Sequence, residues 1–247
     1  MFVDSHCHIH EDNYPLDKGD IMRRAHEAGV SQMICVGTSE ISSREAIAFS
    51  KQHERVYASI GVHPHDAKDG YRAIFDHTPD EFIAVGEIGL DYFYSHSPRG
   101  LQLSALEEQL QFAIDHDKPV IFRVREAFDD FWPLFESFRG IRGVLHSFTD
   151  SRQNLERALE RGLYIGVNGI STFTKDIEQQ AMFASIPLER MLLETDAPFL
   201  TPRPFRGKVN EPAYVKTVAE FHASSRNVLL EEVATRTTTN ARELFAI

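Results

Sequence analysis

Short hydrophobic runs alternate along the chain with longer segments whose hydrophobic residues recur at helical spacing. Eight of the short runs have the length and the glycine or polar flanks of β-strands. Runs such as Met33–Val36 and Met191–Leu193 are hydrophobic at consecutive positions, which is typical of parallel strands that helices cover. The pattern predicts strands at Phe2–His6, Gln32–Gly37, Val56–Gly61, Phe82–Glu87, Pro119–Arg123, Gly143–His146, Leu163–Val167 and Met191–Glu194.

The segments between these strands carry the amphipathic pattern of helices. In one of them, Ser151 can cap a helix that presents Leu155 and Leu159 on a single face. The connection around Asp69–His77 has the weakest helical pattern of the set. We predict helices at Asp17–Ala28, Glu40–His53, Leu101–His116, Glu126–Phe138, Ser151–Arg161 and Thr174–Ser185.

Each predicted strand is separated from the next by about the length of one βα unit. This regular order predicts a (β/α)8 TIM barrel, with a doubly wound open sheet as the alternative fold class. No linker or low-complexity tract divides the sequence, so we expect a single domain over residues 1–247. The proline-rich segment Pro198–Pro212 is interpreted as a long loop that follows the eighth strand.

The composition narrows the class of protein. The 42% of hydrophobic and 26% of charged residues are ordinary for a soluble globular protein. We expect no membrane span and no secretory leader, and the two cysteines, Cys7 and Cys35, favour a cytoplasmic location. The net charge of −11 argues against a broad surface that coats nucleic acid. A pocket in which bound cations hold a few phosphates remains compatible with that charge.

The first predicted strand runs directly into a His-x-His pair. Side chains alternate between the two faces of an extended chain, so His6 and His8 point the same way and Cys7 points away. Two imidazoles on one side of a strand end form half of a metal site.

Titratable residues follow six of the eight predicted strands. The carboxyl ends of barrel strands meet at one face, so we expect these side chains to converge there. Glu87 stands between glycines at the end of a hydrophobic strand, where a buried carboxylate needs a cation. The residues of this set are His6, His8, His63, His65, Glu87, Asp91, Arg123, Arg125, His146, Glu194 and Asp196.

The members of this set are expected to differ in role. His146 and Asp196 join Glu87 as candidate metal ligands, whereas Glu194 is expected to support a ligand or a neighbouring strand. For His63 and His65, ligation and a structural or substrate-orienting role remain equally compatible with the sequence. The cysteines Cys7 and Cys35 are expected to pack in the core, and the remaining helix or loop histidines to be solvated, namely His26, His53, His77, His116 and His222.

Several motifs together resemble the TatD family of metal-dependent deoxyribonucleases, within the amidohydrolase-like barrels. They span nearly the whole chain and are Asp4-Ser5-His6-Cys7-His8, Gly61-Val62-His63-Pro64-His65, Val85-Gly86-Glu87-Ile88-Gly89-Leu90-Asp91-Tyr92, His146-Ser147-Phe148-Thr149, Leu193-Glu194-Thr195-Asp196-Ala197-Pro198 and Asn210-Glu211-Pro212.

The resemblance implies that His6, His8, Glu87 and Asp196 hold one divalent metal. It further implies that Glu87 bridges to a second metal, which His146 and a histidine on the fifth strand complete. The implied reaction is exonuclease-type hydrolysis of a phosphodiester at a DNA end, with single-stranded ends favoured.

The fifth strand departs from the family pattern, which is His-x-Arg. Arg123 occupies the position of the expected histidine, and Arg125 that of the arginine. A guanidinium has no acceptor lone pair and cannot bind a cation. Three interpretations stay open: a natural one-metal variant in which Arg123 clamps phosphate, a natural loss of activity, or a substitution in an otherwise intact enzyme.

Roles for the remaining residues follow from their chemistry. Asp196 is the candidate to accept a proton from the attacking water, and Arg125, His63 and Arg123 are candidates to hold phosphate oxygens. One or two divalent metals are expected. Mixed imidazole and carboxylate ligands suit Zn²⁺, Mn²⁺ or Co²⁺, whereas the family it resembles is usually treated as working with Mg²⁺. A basic rim after the eighth strand is expected from Arg203, Arg206 and Lys208.

Two other functions remain open. A barrel hydrolase of another class would use the same metals on a carboxylic ester, an amide or a lactone. A catalytically impaired protein would bind nucleic-acid ends through Arg123 and Arg125 without cutting them. The expected partner is DNA, with no membrane and no inferable protein partner, and the chain is expected to be a monomer or a small homo-oligomer.

Overall fold

The computed structural model describes residues 1–247 and contains one eight-stranded parallel sheet, whose strands follow each other in chain order. The strands are β1 Phe2–Cys7, β2 Val30–Val36, β3 Val56–Ile60, β4 Ala84–Asp91, β5 Val120–Arg125, β6 Gly143–Leu145, β7 Tyr164–Val167 and β8 Met191–Leu193. The helices are α1 Lys18–Glu27, α2 Glu40–Gln52, α3 Arg99–Asp115, α4 Phe128–Ser137, α5 Arg152–Glu160, α6 Ile170–Phe173, α7 Ile177–Ser185, α8 Val215–Arg226 and α9 Leu230–Phe245. The predicted (β/α)8 barrel is confirmed.

The last strand closes the sheet onto the first. Asp196 N donates to His6 O and His8 N donates to Ala197 O, both at 2.8 Å. The buried Asp4 carboxylate accepts from Thr195 N at 2.9 Å and from Thr195 Oγ1 at 2.5 Å. Burial raises the pKa of Asp4 to about 7 although these hydrogen bonds oppose the shift. Closure therefore fixes the residues after β8 beside the end of β1. It also excludes the doubly wound open sheet, which was the alternative fold class.

Hydrophobic residues fill the barrel and titratable residues cap it. Ile121, Val144 and Leu192 belong to a buried cluster that α9 seals with Leu244 and Phe245. Each of these strand residues precedes a titratable residue by two positions, a spacing that keeps both on the same face of the strand. The titratable residues that follow in this way are Arg123, His146 and Glu194.

Several predicted boundaries were wrong. β4 and β5 pair as far as Asp91 and Arg125, beyond the predicted ends at Glu87 and Arg123. The predicted helix at Thr174–Ser185 begins only at α7, because Asp176 Oδ1 caps it by accepting from Glu178 N at 2.9 Å. The connection around Asp69–His77 forms two short 3-10 segments, Ala67–Asp69 and Arg72–Asp76.

The predicted solvation of the helix and loop histidines was also wrong for most of them. Of the five, only His26 is exposed, and His53, His77 and His116 are half-buried. His222 is buried, with Nε2 3.1 Å from Ser171 Oγ, because α8 packs its face against α6. Burial lowers the pKa of His222 to about 3, so this imidazole is a neutral core residue.

Gly89 is required where β4 passes β5. A Cβ at this position would lie 1.8 Å from Arg123 O, and its φ of +150° is unfavourable for other residues. We expect Gly89→Ala to lower the free energy of unfolding by about 2–4 kcal/mol, measured by chemical denaturation. Gly100→Ala is the matched control, because a Cβ there meets no atom within 4 Å. Equal unfolding midpoints for the two variants would contradict the close packing of β4 on β5.

Candidate metal centre

Four buried side chains bring nitrogen and oxygen atoms together at the carboxyl end of the barrel. His6 Nε2 lies 3.2 Å from His8 Nε2 and 3.4 Å from Glu87 Oε2. Asp196 Oδ1 lies 3.3 Å from His8 Nε2 and 3.8 Å from His6 Nε2. The ligands of a tetrahedral ion with bonds of about 2.1 Å are about 3.4 Å apart. The atoms fall into two overlapping groups with the spacing of metal ligands, one from His6, His8 and Glu87 and the other from His6, His146 and Asp196.

The hydrogen bond of His8 directs a lone pair into this cluster. His8 Nδ1 lies 2.9 Å from Val36 O. A carbonyl oxygen only accepts, so Nδ1 carries the hydrogen and Nε2 of a neutral His8 carries the lone pair. This tautomer is the one that can bind a metal through Nε2.

The cluster attracts positive charge. Burial lowers the pKa of His8, but the hydrogen bond to Asp196 and the carboxylates of Asp196 and Glu87 raise it to about 9. Burial raises the pKa values of Glu87 and Asp196, yet neighbouring histidines hold both below their usual range. A cation at this position would take the place of the proton that the carboxylates draw to His8.

His146 approaches the cluster from β6 and is oriented by Glu194. His146 Nδ1 donates to Glu194 Oε2 at 2.9 Å, and the same oxygen accepts from Ser147 N at 3.0 Å. His146 Nε2 lies 3.8 Å from Asp196 Oδ1 and 3.9 Å from Glu87 Oε1. His146 Nε2 and Glu87 Oε1 are buried and have no hydrogen-bond partner. Two unsatisfied buried atoms that face the same space fit a site for a cation.

Arg123 fills part of that space from β5. Its Nη1 lies 3.9 Å from Glu87 Oε1, and its Nε lies 3.6 Å from Asp91 Oδ2. Burial lowers the pKa of Arg123, but Glu87, Asp196 and Asp91 raise it above its usual value. A permanent positive charge thus lies beside the second oxygen of Glu87.

His63 is held in the tautomer that donates toward Glu87. His63 Nδ1 accepts from His65 N at 3.1 Å, so in the neutral ring the hydrogen is on Nε2. Burial lowers the pKa of His63 to about 3, which keeps the ring neutral. His63 Nε2 lies 3.7 Å from Glu87 Oε1. In this tautomer His63 Nε2 is a hydrogen-bond donor and offers no lone pair to a cation.

The predicted residues converge on one cleft of about 520 Å³. Its lining includes Arg125 at the end of β5 and Phe199 after β8. The expected basic rim is exposed on the loop after β8 and does not line the cleft. His6 is buried and does not line the cleft, and the predicted residues that do line it are His8, His63, His65, Glu87, Arg123, Arg125, His146 and Asp196.

A sequence model described as TatD related DNase matches residues 3–246.

The chain belongs to the TatD-related DNase family.

Named relatives agree with this assignment. A Bacillus subtilis protein named metal-dependent hydrolase YabD is 34% identical over 256 residues, which are 100% of each chain. A Salmonella typhimurium protein named 3′-5′ ssDNA/RNA exonuclease TatD is 34% identical over 245 residues, which are 94% of each chain. The crystal structure of the Escherichia coli TatD homologue YJJV has a TM-score of 0.91 and 29% identity, and covers 100% of this chain and 98% of that one.

The predicted family is confirmed, and the chain is a metal-dependent hydrolase of the TatD family. Its His, Glu and Asp groups are placed to bind a metal. The assignment of individual ligands stays a prediction. None of the helices has the length and hydrophobicity that crossing a membrane requires.

The sequence placed Asp91 among the residues of this TatD-family site but assigned it no role. In the structure, Asp91 Oδ2 lies 3.1 Å from His65 Nε2 and 3.6 Å from Arg123 Nε. Two aromatic residues of the site were missed in the sequence. Tyr94 and Phe199 line the cleft with exposed rings, and no local pattern distinguishes them from loop residues.

Glu194 supports His146 and does not contact the cluster of four ligand atoms directly. We expect Glu194→Gln to weaken binding of Mn²⁺ or Zn²⁺ by about 10- to 100-fold, because the neutral amide makes His146 a less basic ligand. Titration calorimetry measures the affinity, and Glu54→Gln at an exposed position is the control. Unchanged affinity in Glu194→Gln would show that His146 does not bind the metal.

Proposed function

We propose that this TatD-family hydrolase is a metal-dependent exonuclease that hydrolyses phosphodiesters at single-stranded DNA ends. The observation that carries the proposal is the cluster of nitrogen and oxygen atoms from His6, His8, Glu87 and Asp196 beside the guanidinium of Arg123, at one open cleft. A guanidinium beside the metal suits a phosphodiester anion, because its donors match phosphate oxygens, whereas the carbonyl group of an ester, an amide or a lactone carries no charge to pair with it. The name of the Salmonella typhimurium relative also supports the substrate class.

Each residue of the site has a role in the proposed reaction that follows from its position. A divalent cation, when bound, supplies Lewis-acid stabilisation of phosphoryl oxygens and lowers the pKa of water. Asp196 accepts the proton from the attacking water, and Glu87 would hold the cation together with His6 and His8. His63 donates through Nε2 to a non-bridging phosphate oxygen, and Arg125 pairs with the phosphate at the end of β5.

Arg123 is proposed to replace a second cation. Arg123 lines the cleft, and its Nε and Nη1 lie 3.6 Å from Asp91 Oδ2 and 3.9 Å from Glu87 Oε1, beyond hydrogen-bond distance, so the guanidinium retains donors for a phosphate. One ion would then be held by His6, His8, Glu87 and Asp196, with His146 as a further ligand. Nitrogen and oxygen ligands in this ratio favour Zn²⁺ or Mn²⁺ over Mg²⁺.

The metal content tests this assignment. We expect one Mn²⁺ per wild-type chain and two in Arg123→His, measured by mass spectrometry of metal after buffer exchange, because histidine restores a ligand beside Glu87 and His146. Arg123→Ala should bind one ion and lose about 100-fold in kcat on single-stranded DNA, since the substitution removes the positive charge that stabilises the phosphoryl group. Arg123→Lys is the control that keeps the charge.

Two results would overturn the role of Arg123. Two ions in the wild-type chain would mean that the guanidinium does not replace a cation. An inert wild-type chain with an active Arg123→His would mean that Arg123 disables the enzyme. Turnover of carboxylic esters, amides or lactones without turnover of DNA would favour the other class of barrel hydrolase.

The exposed loop after β8 is proposed to contact phosphates beyond the cleft. We expect the triple change of Arg203, Arg206 and Lys208 to Ala to raise KM for DNA by about 10-fold, with a smaller effect on kcat. Steady-state kinetics at two salt concentrations measure the change. Arg44, Lys51 and Arg152 on outer helices, changed together to Ala, are the matched control. Equal KM values for the two triples would contradict a specific basic rim.

We also propose a cytoplasmic location. Cys7 and Cys35 are register partners on β1 and β2, and both are buried and free. Neighbouring thiols that remain reduced are typical of a reducing compartment.

A further inference from the structure

The exposed aromatic rings of this protein are concentrated at the mouth of the barrel. Phe93, Tyr94 and Phe199 are 50%, 49% and 58% exposed, and the other exposed large hydrophobic residues are aliphatic. Tyr94 and Phe199 line the cleft that contains the metal centre. Single exposed hydrophobic residues need no explanation, but three aromatic rings around one polar cleft indicate a binding surface.

These rings form two walls. The β4 wall consists of Phe93 and Tyr94, which follow β4, together with Arg125 at the end of β5. The β8 wall consists of Phe199, three residues after Asp196. β4 and β8 are four strands apart in a closed barrel of eight, so the two walls face each other across the metal centre.

The backbone holds both walls in place. Tyr94 N donates to Asp91 Oδ1 at 3.1 Å. Phe199 N donates to Asp196 O at 2.8 Å, and Asn210 Nδ2 donates to Phe199 O at 2.5 Å. Each ring therefore stands three residues from a carboxylate of the site, and a hydrogen bond to that residue fixes the backbone that carries the ring.

The β4 wall combines a stacking face with a cation. The Arg125 guanidinium lies 3.9 Å from the centre of the Phe93 ring and 4.8 Å from that of Tyr94. Tyr94 is stacked parallel to His96, at 5.6 Å between ring centres. Aromatic faces beside cations are the chemistry that recognises unpaired bases and their phosphates in single-stranded nucleic acid.

We propose that the two walls form a base clamp, in which one nucleobase stacks on Tyr94 and the other on Phe199, on either side of the scissile phosphate. This inference rests on the proposed function. It adds that the site recognises two unpaired bases at the end of the DNA strand. A paired base presents only its edges to a ring, so the clamp selects single strands over blunt duplexes.

Fluorescence of 2-aminopurine tests the clamp without turnover. The probe is a short single-stranded DNA with a non-hydrolysable phosphonate at its terminal linkage and 2-aminopurine at the last or the penultimate nucleotide, with Mn²⁺ present. Binding to the wild-type chain should quench both positions, because stacking quenches this base. Phe199→Leu should relieve quenching at one position and Tyr94→Leu at the other, and each should raise Kd by about 5- to 100-fold.

Conservative and distant variants complete the design. Phe199→Trp and Tyr94→Phe keep a ring and should bind within about 3-fold of the wild-type Kd, since stacking needs a π-face of any kind. Leu229→Ala removes an exposed side chain at the start of α9 and should change nothing. An abasic probe should bind the wild-type chain as weakly as the intact probe binds the leucine variants.

The outcomes separate the clamp from the nuclease. Suppose that the wild-type chain cuts DNA, but that its Kd for the abasic probe and the Kd of both leucine variants for the intact probe equal the wild-type Kd for the intact probe. The clamp is then overturned, and the exonuclease stands. If the wild-type chain neither binds nor cuts nucleic acid, both the clamp and the proposed function are overturned. A dimer that both leucine variants abolish, with no change in Kd for DNA, would overturn the clamp in favour of contact between two copies of the chain.

Discussion

Glu87 and Asp196 are two carboxylates buried at the mouth of a barrel, and this burial is the constraint on which the site depends. A buried carboxylate is stable only with a compensating cation or strong hydrogen bonds. Here the neighbours are imidazoles whose nitrogens lie 3.3–3.9 Å from these carboxylate oxygens, at distances that suit a shared ion. The closure of β8 onto β1 is what makes that ion possible, because it places Asp196 against His6 and His8.

The presence of Arg123 changes how this negative charge is balanced. A second metal ion would bring two positive charges, whereas the guanidinium brings one, and its position on β5 is permanent. The carboxylate of Asp91, at the end of β4, lies 3.6 Å from Arg123 Nε. A guanidinium stabilises the charge on a phosphate less strongly than a second divalent cation would. It is, however, always present in the site and does not have to bind from solution.

The charge distribution is compatible with the proposed nucleic-acid substrate of this acidic protein. The net charge of −11 belongs to the whole chain, whereas the cleft gathers Arg123, Arg125 and the metal ligands at one end of the barrel. The proposed recognition is therefore local and directed to a strand end, since a net charge of −11 does not favour a broad contact with DNA. In the proposed clamp, the aromatic rings at the same mouth would add affinity that does not depend on charge.

The sequence by itself determined the barrel and was sufficient to predict which residues form the metal centre. Hydrophobic strands that end in His6, Glu87, His146 and Asp196 lead to convergence, because parallel strands of a barrel end at one face. The chemistry of Arg123 was equally visible, since a guanidinium never binds a cation. These conclusions rest on local spacing and residue type, and both are properties of the chain itself.

Only the tertiary structure decided which atoms meet. The tautomer of His63 is set by the backbone of His65, the orientation of His146 by Glu194 from two strands away, and the opposition of Tyr94 and Phe199 by the closure of the barrel. The burial of His222 likewise depends on how α8 packs. Such contacts join residues far apart in the chain through register and closure, and no local pattern of hydrophobic and polar positions specifies either.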